Sequence, residues 1–561
     1  MIWNGLLKKQ LDLSFPPIIT IYLLLFLGKG NIALIFIIII LLGHLFKTII
    51  LEKVRASITE ISNKLPKTAV IKRNGKEIEI QINDIKIGDT LIVKSGERVA
   101  TDAVLLSEGA ALDESVVTGE SKPVPKKRDD KLLAGSINAG NYFEARVSSE
   151  AENSTLFQIQ HLVNEAQNEK APLANLVNKY AWLTIAMALL GVFIIFSVTH
   201  NVFQALSFWI AVVPVVFAII VPVTTTIGIT ILAKLGILVK SSRSLENLTK
   251  ANTFLFDKTG TITQGKPDVD EIIALNGDKK SVLQLAASIE QYASHPLSIP
   301  ILDSAKDQKI RPLKLHNVKT LVGEGMSGEY NKREIFLGNN LLLENRGISV
   351  TRGIKDKTEE WEKKGATPVF VGEEKKISGV IFLIDKLRPE TKPLFSALLK
   401  MKYEVIIVTG DKEEVVKEIT KGLPGVSFIA GVSPEGKVDE IVKKVKGGKN
   451  IVMVGDGIND APALAKAQVG IAMGGKGTDL TLDAASIVLM NNNISSIPGM
   501  ISVSKKTFTI IKQDVVFSTI IHALTAVFVI MGSINLIQTT VIHEISSTLV
   551  LVNTLRLFRV K

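Results

Sequence analysis

The stretch TFLFDKTGT, residues 253–261, decides how this chain is read. Thr253, Phe254, Leu255 and Phe256 have strand character, and they deliver Asp257 to a strand's carboxyl end just before Gly260 turns the chain. An α/β sheet binds ligands at that edge, and a carboxylate held there can attack phosphorus and carry it as an aspartyl phosphate. Taken alone, DKTGT is also compatible with a strand end followed by an ordinary Asp-X-X-Gly turn. Two further strand ends decide against that reading.

The apolar run 451–454 leads into GDGINDAP, residues 455–462, and puts Asp456 where a second carboxylate helps hold an Mg²⁺ that bridges Asp257 and a phosphate oxygen. The run 405–408 leads into Thr409, Gly410 and Asp411, offering a hydroxyl and backbone N–H groups to a phosphate. Lys437, shortly after Pro434, adds a compact positive charge. Three strand ends converging on one sheet edge specify a site that none of them specifies alone.

Around this site the composition divides in two. The chain has 561 residues, 46% of them hydrophobic and 22% charged, so its apolar residues must be gathered in blocks beside a polar catalytic body. There is no cysteine, which excludes disulfides and thiolate metal ligands. The formal charge of +11 is spread along the chain without a basic-aromatic stripe, so it points to anionic lipid headgroups and ATP and not to nucleic acid.

The first residues read as a short cytoplasmic lead-in and not as a cleaved signal. Six apolar runs then predict six membrane spans in three pairs: 15–27 with 31–50, 180–198 with 203–236, and 515–531 with 536–555. Pro214 and Pro222 interrupt the fourth, freeing backbone that can line a cavity. Lys8, Lys9, Lys47, Lys53, Arg55, Lys505, Lys506, Arg556, Arg559 and Lys561 flank one side of the membrane, while only Lys29 lies in the opposite loops. Both termini and both soluble parts are therefore expected in the cytoplasm of a multi-pass cell-membrane protein.

The predicted domains are membrane helices at 1–50, 176–236 and 496–561, a mostly β domain at 51–175, and a doubly wound α/β domain from 237–266 and 375–495. The α/β domain carries an insertion at 267–374.

The order DKTGT, TGD and GDGIND, with TGES at 118–121 in the β-rich segment, resembles the P-type ATPases over nearly the whole chain. These are ATP-driven membrane transporters. The resemblance implies a β-rich actuator domain and a haloacid-dehalogenase-like, Rossmann-type phosphorylation domain with an inserted α+β nucleotide-binding domain. It further implies that ATP phosphorylates Asp257, that Asp456 and Thr259 accompany Mg²⁺, and that Lys437 steadies the phosphoryl group. Lys258, Thr409 and Asp460 complete the catalytic set, with Asp411 toward the nucleotide. Glu120 orients water for dephosphorylation. Related phosphatases carry an acid two residues after the nucleophile, where this chain has Thr259, so the aspartyl phosphate should persist until Glu120 arrives.

In the insertion, His295 and Pro296, followed by Gly323, Gly325 and Gly328, resemble the adenine-binding features of the metal-transporting subfamily. That subfamily's Cys-Pro-Cys position falls here on Val213, Pro214 and Val215, which keeps the proline and loses both soft ligands. His543 and Glu544 in the last span resemble the His-Glu motif of members associated with cobalt or iron-like cations, and imidazole plus carboxylate suits such borderline metals. Pro214, His543 and Glu544 are thus the candidate ligands of the transported ion, with Thr224, Thr225, Thr226, Asn535, Gln538 and Asn553 as further oxygen donors. The function expected is a pump exporting a divalent metal cation. Its rivals are a potassium-pump catalytic subunit whose ion path lies in a partner, and a membrane-anchored phosphatase. The ion and any accessory subunit stay open.

Overall fold

The computed structural model describes residues 15–559 apart from 63–65, 67, 74, 115–122, 155–156, 158–171, 213–216, 276, 294–296, 457–459 and 475–483. Glu120, Pro214, His295 and Pro296 lie outside the described residues. The chain forms two compact units. One comprises Met1–Lys250, Ser486–Asn492 and Ser496–Lys561, and the other Ala251–Ala485 and Asn493–Ser495.

The first unit holds the apolar helices and the β-rich segment. Three helical stretches among the described residues are long and apolar enough to cross a membrane: Gly30–Glu52, Ile494–Ile530 and Leu536–Arg559. Pro17–Phe26, Ile185–Thr199, Val202–Val212 and Ile219–Lys234 are shorter apolar helices. The run predicted as one span over 203–236 contains two helices, Val202–Val212 and Phe217–Lys234. The helix Gly30–Ser62 passes straight through the expected domain boundary at residue 50, because nothing in LEKVRASITE breaks a helix.

Several expected oxygen donors serve the helices themselves. Thr224 and Thr225 donate to the carbonyls of Ile220 and Val221 at 2.7 and 2.8 Å, and Asn535 and Gln538 form the capping box of the last helix. Asn553 donates to Asp514 Oδ1 at 2.7 Å.

The β-rich segment forms a six-stranded sheet, in spatial order Lys76–Gln81, Thr68–Arg73, Thr90–Val93, Phe143–Val147, Ala103–Leu105 and Lys131–Leu132. A three-stranded sheet accompanies it, and a core including Ile71, Leu91, Leu105, Leu112 and Phe143 holds the segment together.

The second unit is built on five parallel strands in the order Val469–Met473, Ile451–Gly455, Thr253–Asp257, Glu404–Val408 and Ser427–Ile429. All five residues of the central strand are buried, as expected of a parallel sheet covered on both faces. Its insertion is a six-stranded antiparallel sheet packed on the helices Lys279–Glu290 and Ser298–Asp307.

The insertion does not end at 374 as expected. Strands Thr367–Glu373 and Lys376–Ile384 form a hairpin with Glu373 paired to Lys376, so the chain returns to the parallel sheet only after Ile384. The charged GEEKK run looks like a linker but is a two-residue turn in which Glu374 takes φ 53°.

Candidate active site

Strand register brings the predicted residues together. Asp257 pairs with Val408 on one side, and Phe256 pairs with Val454 on the other, so Asp257, Thr409 and Asp456 emerge at one edge of the sheet. The turn after Asp257 is built for close approach. Gly260 takes φ 74°, and a Cβ there would collide with the Asp456 carboxylate. Thr259 is extended, at φ −72° and ψ 124°.

Asp257, Asp456 and Asp460 each offer a ligand atom, all within 4.8 Å of one another. Lys437 Nζ donates to Asp257 Oδ1 at 2.5 Å and to Asp460 Oδ1 at 2.7 Å. Ser433 caps the helix that carries Lys437, accepting from the Gly436 N–H at 3.1 Å. Burial, followed by the like charge of Asp460, pushes the Asp257 carboxyl up to about 7 against the opposing pull of Lys437. Burial would lower Lys437, but the Asp257 and Asp460 carboxylates outweigh it and hold the ammonium above its ordinary value. Buried carboxylates that repel one another, with hard oxygen donors and one cation between them, fit a small divalent ion such as Mg²⁺. Lys258 forms an ion pair with Asp411, so Asp411 is engaged beside the signature turn.

Two further residues had no signal in the motifs. Arg388 donates from Nη2 to the Gly260 carbonyl and from Nε to the Thr263 carbonyl, both at 2.9 Å. Asp385 accepts from Thr263 Oγ1 at 2.6 Å and from the Gly265 N–H at 2.9 Å. Together they clamp the loop that presents Asp257. Both stand where the chain returns from the insertion, in DKLRPE, and the Arg-Pro pair there is the only hint the sequence offers.

The insertion contains a cavity of ≈ 510 Å³, lined among others by Glu290, Val322, Gly323, Gly325, Leu337 and Asn339. Gly325 takes φ 151°, and a Cβ there would meet the Leu337 carbonyl. Gly323 and Gly325 line this cavity, whereas Gly328 is not among its lining residues and packs under Leu315 and Val318. Glu290 was missed. It is 6% exposed, and burial pushes its carboxyl up to about 7.

A family model for haloacid dehalogenase-like hydrolases matches residues 251–468, and one for the P-type ATPase actuator domain matches 63–164. A cadmium-transporting ATPase of Staphylococcus aureus is 32% identical over all of this chain and 79% of its own length. The chain belongs to the P-type ATPases.

Within that family it falls in the heavy-metal-transporting branch. A copper-exporting P-type ATPase of Archaeoglobus fulgidus is 32% identical over 86% of this chain and 61% of that one. A crystal structure of a zinc-transporting PIB-type ATPase superposes with a TM-score of 0.64 at 30% identity, covering 96% of this chain and 88% of its own. Like its relatives, this P-type ATPase is a membrane-integral enzyme that couples ATP hydrolysis to cation translocation. These relatives give the potassium-pump alternative no support.

In its membrane helices the P-type ATPase separates the two neighbours His543 and Glu544. Glu544 accepts from Lys47 Nζ at 2.7 Å, beside Gly43, where a Cβ would collide with its carboxylate. His543 faces His522 instead, with ring centroids 5.2 Å apart.

Proposed function

We propose that this P-type ATPase exports a divalent metal cation through a phosphorylated Asp257, with six spans, cytoplasmic termini, and cytoplasmic actuator, phosphorylation and nucleotide-binding domains. The observation that carries the reading is the convergence of Asp257, Asp456 and Asp460 on Lys437 at the end of a parallel sheet.

ATP binds with its base in the cavity beside Glu290, Gly323 and Gly325, His295 and Pro296 are assigned to the base by the family resemblance, and Gly328 supports the strand behind the cavity. Asp257 attacks the γ-phosphorus, ADP departs, and an acyl phosphate forms. Lys437 leans toward the transferred phosphoryl oxygens, while Thr409 and the turn at Lys258 and Thr259 donate to them. Asp257, Asp456 and the Thr259 carbonyl would hold Mg²⁺, which when bound would supply positive charge against the charge that develops on the phosphoryl group. Asp460 keeps Lys437 in place, and Asp411 keeps Lys258 in place. Glu120 then orients a water whose attack on phosphorus restores Asp257 and releases phosphate.

The names of the cadmium, copper and zinc transporters favour a metal cargo. With Val213 and Val215 flanking Pro214 and no cysteine anywhere, imidazole and oxygen donors favour a borderline divalent cation over copper(I). His543 is the proposed protein ligand, a carbonyl left without its helical N–H partner by Pro214 would be a further oxygen donor, and Glu544 is a carboxylate that a cation reaches only by displacing Lys47.

The test is ATP hydrolysis by the purified protein against Co²⁺, Fe²⁺, Zn²⁺, Ni²⁺, Mn²⁺ and K⁺, with phosphoenzyme trapped from labelled ATP. Stimulation by one or more of the divalent ions, and loss of all phosphoenzyme in Asp257→Asn, is expected. Full hydrolysis in Asp257→Asn overturns the phosphoenzyme cycle.

A further inference from the structure

In a membrane interior, a buried polar atom without a partner costs several kcal/mol, because neither water nor lipid satisfies it. Among the described residues, four such atoms stand on two neighbouring helices. On the helix Ile497–Ile530, Asp514 Oδ2, Ser518 Oγ and His522 Nε2 are buried without a hydrogen-bond partner, and so is His543 Nδ1 on the next helix. Asp514, Ser518 and His522 are spaced i, i+4, i+8, so they stand on one helix face, each about 6 Å beyond the last. The two imidazoles meet at its end, with centroids 5.2 Å apart and planes at 62°.

One detail separates His522 from a merely buried histidine. Its Nδ1 lies 2.7 Å from the carbonyl oxygen of Ala211, and that oxygen can only accept. The proton therefore sits on Nδ1, and Nε2 carries the lone pair. A histidine that donates one N–H to a backbone carbonyl and directs the other nitrogen into a polar site has the arrangement that metal ligands use to fix tautomer and ring orientation. Glu544, by contrast, is occupied by Lys47 at 2.7 Å.

We propose that His522 and His543 together ligate the transported cation through Nε2 and Nδ1, with Ser518 and Asp514 offering oxygen along the approach. Two neutral imidazoles without thiolate select borderline divalent cations such as Co²⁺, Ni²⁺ or Zn²⁺ over copper(I) and over hard Mg²⁺ or Ca²⁺. This inference rests on the metal-pump reading and names its cargo class.

The test uses the full chain in detergent loaded with one equivalent of Co²⁺. X-ray absorption of the wild-type protein should show two imidazoles in the first shell. His522→Asn keeps an N–H near the position of Nδ1 but removes Nε2. It should show one imidazole, bind Co²⁺ 10- to 100-fold more weakly, and require correspondingly more metal for half-maximal ATPase stimulation. A His522→Asn protein with wild-type affinity and spectrum overturns the proposal. Should that variant fail to fold, the wild-type spectrum decides, since fewer than two imidazoles there also overturns it. If divalent ions stimulate the wild-type ATPase but the imidazoles are missing, only this inference falls. If none stimulates it, the pump reading falls as well.

Discussion

Lys437 stands 2.5 Å from Asp257 and 2.7 Å from Asp460, and one ammonium cannot neutralise all the carboxylates gathered there. Burial and like charge leave Asp257 with a carboxyl raised to about 7. Between its ordinary value of 3.8 and about 7, the folded protein holds a proton that the unfolded chain has released. Stability without metal therefore falls as pH rises through that window. Asp257→Asn should remove this dependence and be more stable than the wild type at pH 8 in EDTA, with little difference at pH 4, as thermal melts would show. The same proton competes with Mg²⁺, so Mg²⁺ affinity should drop as pH falls below about 7. At Gly260, φ 74° and the nearby Asp456 carboxylate both exclude a side chain. Gly260→Ala should cost roughly 1–2 kcal/mol from its backbone alone, and it should raise the Mg²⁺ concentration needed for phosphoenzyme formation. An unchanged Mg²⁺ titration would refute the close packing assigned to that turn.

Strands and helices carried their own labels unevenly. Three of the parallel strands could be read because each is a short apolar run leading to Asp257, Thr409 or Asp456, and burial leaves no alternation to confuse the reading, whereas the short strand Ser427–Ile429 carries no such marker. The hairpin at Glu373 and Lys376 could not, since a charged two-residue turn looks like a linker until its strands pair. Arg388 was hidden for a different reason: it acts through carbonyls of Gly260 and Thr263, and a backbone acceptor leaves no residue type to recognise. Glu290 was obscured by its place at the end of the amphipathic helix Lys279–Glu290, where an acid reads as solvated. Its burial against the cavity raises it to about 7 from 4.5, so it too loses stability for the fold as pH climbs through that interval. Glu290→Gln should stabilise the protein by on the order of 1 kcal/mol at pH 8 and hardly at all at pH 4. A variant no more stable at pH 8 than the wild type would show that the carboxyl is already solvated.

For the whole molecule, the decisive residue is one that the active site lacks. In the proposed cycle, Thr259 stands where a neighbouring acid would activate water, so the residues that would make the aspartyl phosphate include none placed there to destroy it. The acid assigned that task, Glu120, belongs to the unit Met1–Lys250, whereas Asp257 belongs to the unit beginning at Ala251. Under the proposed role of Glu120, hydrolysis would wait for that residue to reach Asp257, and the lifetime of the phosphate would be tied to a domain movement. Glu120→Gln should leave phosphorylation from ATP intact and slow dephosphorylation by roughly 10²–10⁴-fold, the usual contribution of a general base. Phosphoenzyme should accumulate in a chase with unlabelled ATP, while metal-stimulated turnover collapses. Adding back an acid locally, as Thr259→Asp, should shorten the lifetime again and release hydrolysis from metal control. A Glu120→Gln phosphoenzyme that decays at the wild-type rate would instead mean that water is activated within the second unit, and the coupling would have to be sought elsewhere.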